Sequence, residues 1–172
     1  STTVGKLTVT GAGTFDLDLD EKADVSAGGP VFRFAADAKG PAGQLYKKGE
    51  QADTQTVQGM LDILATTLGV TRFVDETPTP EKLAEYGLGP TPRLKVVVGL
   101  KGTAPDDKER VYEFGKETAD PSFVYARQGG KQAVFTLPKF VYDKFPTADL
   151  RNKTIFRVNP AEVSRIEIKG WG

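Results

Sequence analysis

The chain has 172 residues with 23 acidic and 23 basic side chains, and it contains neither histidine nor cysteine. Without these two residue types, Ser-His-Asp and Cys-His nucleophilic sites, most zinc sites, haem ligation and disulfide scaffolds are excluded. The balanced charge provides no net field to attract nucleic acid or an anionic membrane, and no apolar run approaches the roughly 20 residues that span a bilayer.

The first fifty residues predict short strands joined by turns. Apolar and polar residues alternate in Lys6–Thr10 and in Phe15–Asp20, and Gly11 and Gly13 lie between these runs, which predicts a β-hairpin. The same part of the chain predicts further strands and a flexible segment, in the order Val31–Phe34, flexible Ala38–Gly43 and Gln44–Lys48.

An amphipathic helix follows, with the clearest periodicity in the chain. Asp53 is suited to the N-cap, and Gly69 is suited to the left-handed position that ends a helix. Between them, apolar residues recur at helical spacing: Val57, Met60, Leu61, Leu64 and Leu68. One face of this helix is therefore expected to pack on the core.

The middle of the chain predicts strands around a second, short helix. Thr79-Pro80 places proline at the first helical position, and Gly87 is expected to end this helix. The predicted strands are Thr71–Val74, Arg93–Leu100 and Arg110–Phe114, the last two separated by the charged loop Lys101–Glu109.

The last part predicts a hairpin, a third helix and two final strands. Phe123–Arg127 and Lys131–Thr136 form the hairpin across Gly129-Gly130. Pro138 begins the helix, which stops before Pro146. Its predicted apolar positions are Phe140, Val141 and Phe145, and the final strands are predicted at Thr154–Val158 and Val163–Lys169, around the turn Asn159-Pro160.

Together these elements predict a single α+β domain over residues 1–172, mainly antiparallel β-sheet with two or three helices packed on one face. The two ends also resemble each other, because Val4–Gly13 aligns without gaps with Val163–Gly172 and three positions are identical. Two interpretations remain open. The similarity arises by chance between two strands, or the chain is one unit of a repeat of roughly 160 residues and 163–172 is the first strand of the next unit.

Four aspartates near the N-terminus are the first candidate site. Asp16, Asp18 and Asp20 have the D-x-D-x-D spacing of a calcium loop, with Asp24 nearby. However, Glu21 and Ala27 stand where such a loop needs glycine and a bidentate glutamate. We therefore expect a strand whose aspartates face water, with a weak calcium site as the alternative.

Other candidate sites are weaker. Tyr112, Phe114, Phe123 and Tyr125 are expected to be core residues or cross-strand pairs, with a sugar-binding platform as the alternative. No phosphate-binding glycine motif and no S-x-x-K pattern occurs, and no pair of acids is singled out for glycoside hydrolysis. We therefore predict no enzymatic activity, no cofactor and no catalytic or metal-ligating residue, and the binding residues remain unassigned.

A set of short motifs resembles a known family over the segment from Ala52 to Lys169. In chain order they are Ala52-Asp53 before a helix, Arg72-Phe73-Val74, Tyr86-Gly87-Leu88 followed by Pro90 or Pro92, Gly115 at a strand end, Val124–Arg127 with Val134-Phe135, Leu150–Lys153 and Pro160–Val163. The order and spacing are similar to those of the bacterial domain-of-unknown-function family 4340. Where that family often has tryptophan before the first helix, this chain has Gln44-Leu45-Tyr46.

The resemblance implies a location and partners but no established activity. Members of the family are typically anchored in bacterial membranes, often carry several copies of the domain and resemble accessory proteins of gliding-motility-type ABC transport systems. The resemblance thus implies a non-catalytic, extracytoplasmic interaction module on the periplasmic face of the membrane. It also implies a membrane anchor that lies outside this chain and partners that are protein subunits of a membrane complex. The alternative function is a ligand-binding module for envelope glycan or another small molecule.

Overall fold

The computed structural model describes residues 3–11, 13–23, 29–66, 70–102, 108–153, 164–165 and 167. In these residues the chain forms ten strands and three helices. They are β1 (Thr3–Thr10), β2 (Phe15–Leu19), β3 (Phe32–Phe34), β4 (Ala38–Lys39), β5 (Leu45–Tyr46), α1 (Thr54–Thr66), β6 (Arg72–Asp75), α2 (Pro80–Glu85), β7 (Leu94–Lys101), β8 (Glu109–Glu117), β9 (Phe123–Gln128), β10 (Val134–Pro138) and α3 (Lys139–Asp143).

Eight of these strands form one antiparallel sheet in the order β3-β2-β1-β7-β8-β9-β10-β6. The predicted N-terminal hairpin lies inside it, with Leu7 of β1 opposite Leu17 of β2 and Val98 of β7. Because successive side chains of a strand point to opposite faces, this register places the apolar residues of all three strands on one face. The predicted hairpin is confirmed.

That face, called here the core face, is covered by α1 and α3. Buried apolar side chains of the sheet and of both helices form one cluster, which includes Leu7, Val9, Phe15, Leu17, Val57, Met60, Ile63, Leu64, Leu94, Val96, Phe114, Val124, Leu137, Val141 and Phe145. A mainly antiparallel sheet with helices on one face is the predicted α+β class, which is confirmed.

The start of α1 is fixed by the predicted cap. The Asp53 carboxylate accepts hydrogen bonds from the Thr56 backbone N–H (2.9 Å) and the Thr56 hydroxyl (2.7 Å). The Asp53 backbone N–H in turn donates to the Leu150 carbonyl at 2.9 Å. These bonds satisfy backbone N–H donors that the start of a helix leaves without partners, and they connect α1 to the segment after α3. Leu68 and Gly69, the predicted end of this helix, lie outside the described residues.

The end of α2 docks on a bulge in β8. Gly87 has φ +72°, the left-handed conformation expected where glycine ends a helix. The Tyr86 carbonyl accepts a hydrogen bond from the Lys116 backbone N–H at 3.0 Å, and the Leu88 side chain is buried beside Gly115. A side chain at Gly115 would overlap the Tyr86 carbonyl oxygen, so glycine is required there.

One local prediction was wrong. Ala38–Lys39, expected to be flexible, forms β4 and pairs with Leu45–Tyr46. Phe140, one of the predicted apolar positions of the third helix, is 54% exposed. Because α3 has only five residues, its buried side is supplied by Val141 and Tyr142.

Tyr46 is a core residue, and it belongs to the stretch Gln44-Leu45-Tyr46 that stands where the resembled family often has tryptophan. Its ring stacks on Phe34 with centroids 4.4 Å apart, and its hydroxyl accepts a hydrogen bond from the Leu150 backbone N–H at 3.2 Å. A buried aromatic ring with a satisfied polar tip therefore anchors β5 to the segment after α3.

The predicted hairpin of β9 and β10 is confirmed, with Val124 opposite Leu137 and Ala126 opposite Phe135. The predicted final strand Thr154–Val158 lies outside the described residues, as do most residues of the predicted strand Val163–Lys169 and of the possible repeat at 163–172. The repeat therefore stays a prediction.

Candidate functional site

A cleft of about 420 Å³ opens between α1 and one end of the sheet, and we call it the α1 cleft. The walls come from α1 on one side and from β1, β3, β7 and β8 on the other. The lining residues are Thr3, Val4, Pro30, Phe32, Gln58, Leu61, Asp62, Leu64, Ala65, Val98, Leu100, Arg110 and Tyr112. Its volume lies in the range of about 300–1,000 Å³ that small-molecule sites occupy.

The deep part of the α1 cleft is apolar. Phe32, Leu64 and Val98 are buried members of the core cluster, and Leu61 and Leu100 are partly buried against it. The cleft therefore reaches the core through a surface of aliphatic and aromatic carbon, which favours an apolar occupant.

The strand side of the cleft carries two polar groups. Arg110 and Tyr112 lie opposite Val98 and Val96 of β7, so alternation along β8 places both on the core face, followed by the buried Phe114. Burial raises the pKa of the Tyr112 hydroxyl, and the nearby Arg110 guanidinium partly offsets this effect. The hydroxyl thus remains neutral and can donate a hydrogen bond beside a cation.

The helix side carries a polar pair. The Gln58 side-chain amide donates to the Asp62 carboxylate at 2.7 Å, one helical turn away. No acidic side chain is buried in the described part of the chain, and no group of three or more acids there could hold a metal ion. The cleft thus has an apolar floor between two walls that carry polar groups.

Among the strands of the described residues, β6 is the last one of the large sheet, next to β10, and we call this second surface the β6 edge. Phe73 is 60% exposed and Val74 is 38% exposed, and Val70 just before the strand is also exposed. The Phe73 ring meets the Phe135 ring edge to face, with centroids 6.2 Å apart. Edge strands of monomeric proteins usually carry charges or proline that prevent pairing, whereas the centre of this strand is apolar.

Two of the three described aspartates of the candidate calcium site bond to side chains of neighbouring strands. The Thr8 hydroxyl donates to Asp16 at 2.5 Å, and Arg33 pairs with Asp20 at 2.7 Å. The Arg33 hydrogen bond lowers the pKa of Asp20. Asp16 and Asp18 lie at alternate positions of β2, opposite Thr8 and Lys6, and Asp24 lies outside the described residues. The arrangement matches the expected solvated strand.

The four candidate aromatic residues do not form one platform. Tyr112 and Phe114 lie on the core face, where Phe114 contacts Tyr142 and Phe145. Phe123 and Tyr125 alternate with the buried Val124 and Ala126 and so lie on the opposite face, where the Tyr125 ring is 4.7 Å from that of Tyr86. The expected packing role fits these contacts.

Sequence reasoning missed both the α1 cleft and the edge position of β6. The signal for the cleft was the alternation along the strand, which places Arg110 on the same face as Tyr112 and Phe114. A charged residue on the apolar face of a strand indicates an opening in the core. No local signal identified the sheet edge, because the place of β6 depends on its pairing with the distant strand β10.

None of the three helices in the described part of the chain is long and apolar enough to cross a lipid bilayer. Comparison with curated proteins and with solved structures gave no match. Comparison with protein families matched residues 44–172 to a domain of unknown function, DUF4340. Since this match covers most of the chain, including α1, the β6 edge and the strands β7 to β10, the chain belongs to the DUF4340 family.

Proposed function

We propose that this chain is a non-catalytic interaction module of a membrane-anchored protein on the periplasmic face of a bacterial membrane. In this proposal it binds protein subunits of an ABC-type transport or motility complex, and its anchor lies outside the 172 residues. The location and the partners come from the resemblance of the motifs to accessory proteins of such systems. The single structural observation that supports a protein partner is the β6 edge.

The β6 edge suits the addition of a partner strand. In the described residues β6 pairs on one side only, with β10, so the backbone groups on its other side can pair with a partner chain. Phe73 and Val74 point to opposite faces of the sheet, and both are partly exposed. A partner strand would therefore gain main-chain hydrogen bonds together with apolar contacts on each face.

A lysine at Val74 tests this proposal. The full-length protein is crosslinked mildly in its own membranes, captured by an affinity tag and analysed by mass spectrometry. We expect recovery of ABC-transporter subunits above a tag-only control, and we expect Val74→Lys to lower that recovery about tenfold, since a charged edge opposes strand addition.

Leu45→Lys is the matched control, because Leu45 is an apolar strand residue that is 72% exposed in the separate β4–β5 pair. We expect it to leave recovery unchanged. Recovery of the bait alone, under conditions that hold a known membrane complex together, would contradict the proposal, as would equal recovery with Val74→Lys and the unchanged protein.

The second candidate function is binding of a small molecule, and the α1 cleft is the observation that favours it. A concave apolar cavity with a few convergent polar groups is the usual form of a ligand site. The cleft and the β6 edge are formed by different residues, so the two functions can be tested separately.

A further inference from the structure

We infer that the β6 edge pairs with the β6 edge of a second copy of this chain, so that two copies form an antiparallel dimer with twofold symmetry. The inference goes beyond the proposed function, because the dimer needs no transporter subunit. A subunit bound at this edge would take the place of the second copy, so the two partners would compete for one surface. The charge pattern along β6 and a bulge in that strand support the inference.

The order of residues along β6 is complementary to itself. The strand Arg72-Phe73-Val74-Asp75 begins with a cation, ends with an anion and is apolar between them. When this strand runs antiparallel to a copy of itself, Arg72 of each copy comes opposite Asp75 of the other copy. Two ion pairs therefore form around the twofold axis, with the apolar residues between them. A parallel arrangement would instead place like charges opposite each other, which is unfavourable.

The bulge in β6 brings these two charges to one face of the sheet. In a regular strand, residues three positions apart point to opposite faces, and the ion pairs could not form. In β6, however, Phe73 lies opposite Phe135, and Asp75 lies opposite Val134, so two steps along β6 match one step along β10. Because neighbouring residues of β10 point to opposite faces, Phe73 and Asp75 do so as well. Arg72 therefore shares the face of Asp75.

Both charged groups of β6 can take part in a new ion pair. Arg72 is exposed. The Asp75 carboxylate accepts a hydrogen bond from the Thr77 backbone N–H at 3.1 Å, and an ionised carboxylate can accept further donors. The neighbouring Lys82 is bonded to Glu85 at 2.7 Å. An ion pair between Asp75 and the guanidinium of a second copy would therefore leave this described pair intact.

The apolar centre of β6 adds to the contact between the two copies. Phe73 is 60% exposed and Val74 is 38% exposed. Pairing of the two edges removes these side chains from water on both copies and supplies main-chain hydrogen bonds between the strands. Because β6 has only four residues, the interface is short. We therefore expect a weak dimer whose population depends on the concentration of the chain.

Analytical ultracentrifugation of the chain, from micromolar to millimolar concentration, tests the inference. We expect the unchanged chain to shift from monomer to dimer as the concentration rises. Arg72→Asp and Asp75→Arg each place like charges opposite one another, so we expect each to weaken dimerisation about tenfold. Lys48→Asp is the matched control, since it changes the net charge as Arg72→Asp does, at an exposed position outside β6. We expect it to leave dimerisation unchanged.

Two further samples restore the opposite charges. The double variant Arg72→Asp/Asp75→Arg exchanges the two charges, so we expect it to dimerise as the unchanged chain does. An equimolar mixture of the two single variants is expected to form a heterodimer, because each acidic residue of one variant then lies opposite a basic residue of the other. Circular dichroism of each variant checks that the fold is retained.

Three results would overturn the inference: a monomer at all concentrations, dimerisation that neither single variant weakens, or no dimer in both the double variant and the mixture. The membrane pull-down reports the proposed function separately, because the ultracentrifugation sample contains no transporter subunit. Dimerisation without recovery of transporter subunits would support this inference and contradict the proposed function. Recovery of those subunits by a chain that stays monomeric would do the reverse.

Discussion

Phe114→Ala is expected to lower the free energy of unfolding by about 3–5 kcal/mol. The Phe114 ring is 0% exposed, and its centroid lies 6.2 Å from that of Tyr142 and 6.1 Å from that of Phe145. Removal of the ring leaves a cavity between β8 and the segment Tyr142–Phe145, so the strand and the α3 segment both lose packing contacts. Urea denaturation of the variant and the unchanged chain measures the difference.

Phe140→Ala is the matched control for this prediction. It deletes the same ring from α3, but at a half-exposed position, so we expect a loss of less than about 1 kcal/mol. An equal loss in the two variants would mean that the described core is not the one that holds the sheet and α3 together.

Gly115→Ala is expected to cost about 3 kcal/mol, near the upper end of what overpacking usually costs. The added methyl group would overlap the Tyr86 carbonyl oxygen, so the end of α2 must move. That movement breaks the hydrogen bond from the Lys116 N–H and displaces the buried Leu88 side chain. Thermal unfolding followed by circular dichroism measures the loss.

The same substitution at Gly59 is the control. Gly59 lies in α1, where an added methyl group would meet no atom within 4 Å other than those of its chain neighbours and its own helix backbone, and alanine is the better helix former. We therefore expect Gly59→Ala to raise the free energy of unfolding by about 0.5–1 kcal/mol. If Gly115→Ala were as stable as the unchanged chain, the described docking of α2 on β8 would be wrong.

Most elements of this fold could be predicted because their signals are local. The alternation in β1 and β2, the Asp53 cap and the Gly87 helix end each depend on a few neighbouring residues, and each lies where the sequence predicted. The sequence identified Phe140 as an apolar position of the third helix but not as an exposed one, because a helix of five residues is too short for its periodicity to show which side faces the core.

The candidate sites depend on pairing between distant parts of the chain. The α1 cleft exists because β1, β7 and β8 lie side by side below α1, and Arg110 reaches it only through the register that pairs it with Val98. The β6 edge exists because β10 takes β6 as its neighbour. The sequence indicated the strands but not their order in the sheet, so it could not place either surface.

Photo-crosslinking from a single position tests the central claim most directly. A benzoylphenylalanine residue is introduced at position 74 on the β6 edge, or at position 45 on β5, in the full-length protein, which is irradiated in its native membranes. We predict adducts with ABC-transporter subunits from position 74 and none from position 45. Adducts from both positions alike, or from neither, would contradict a protein interface at the β6 edge.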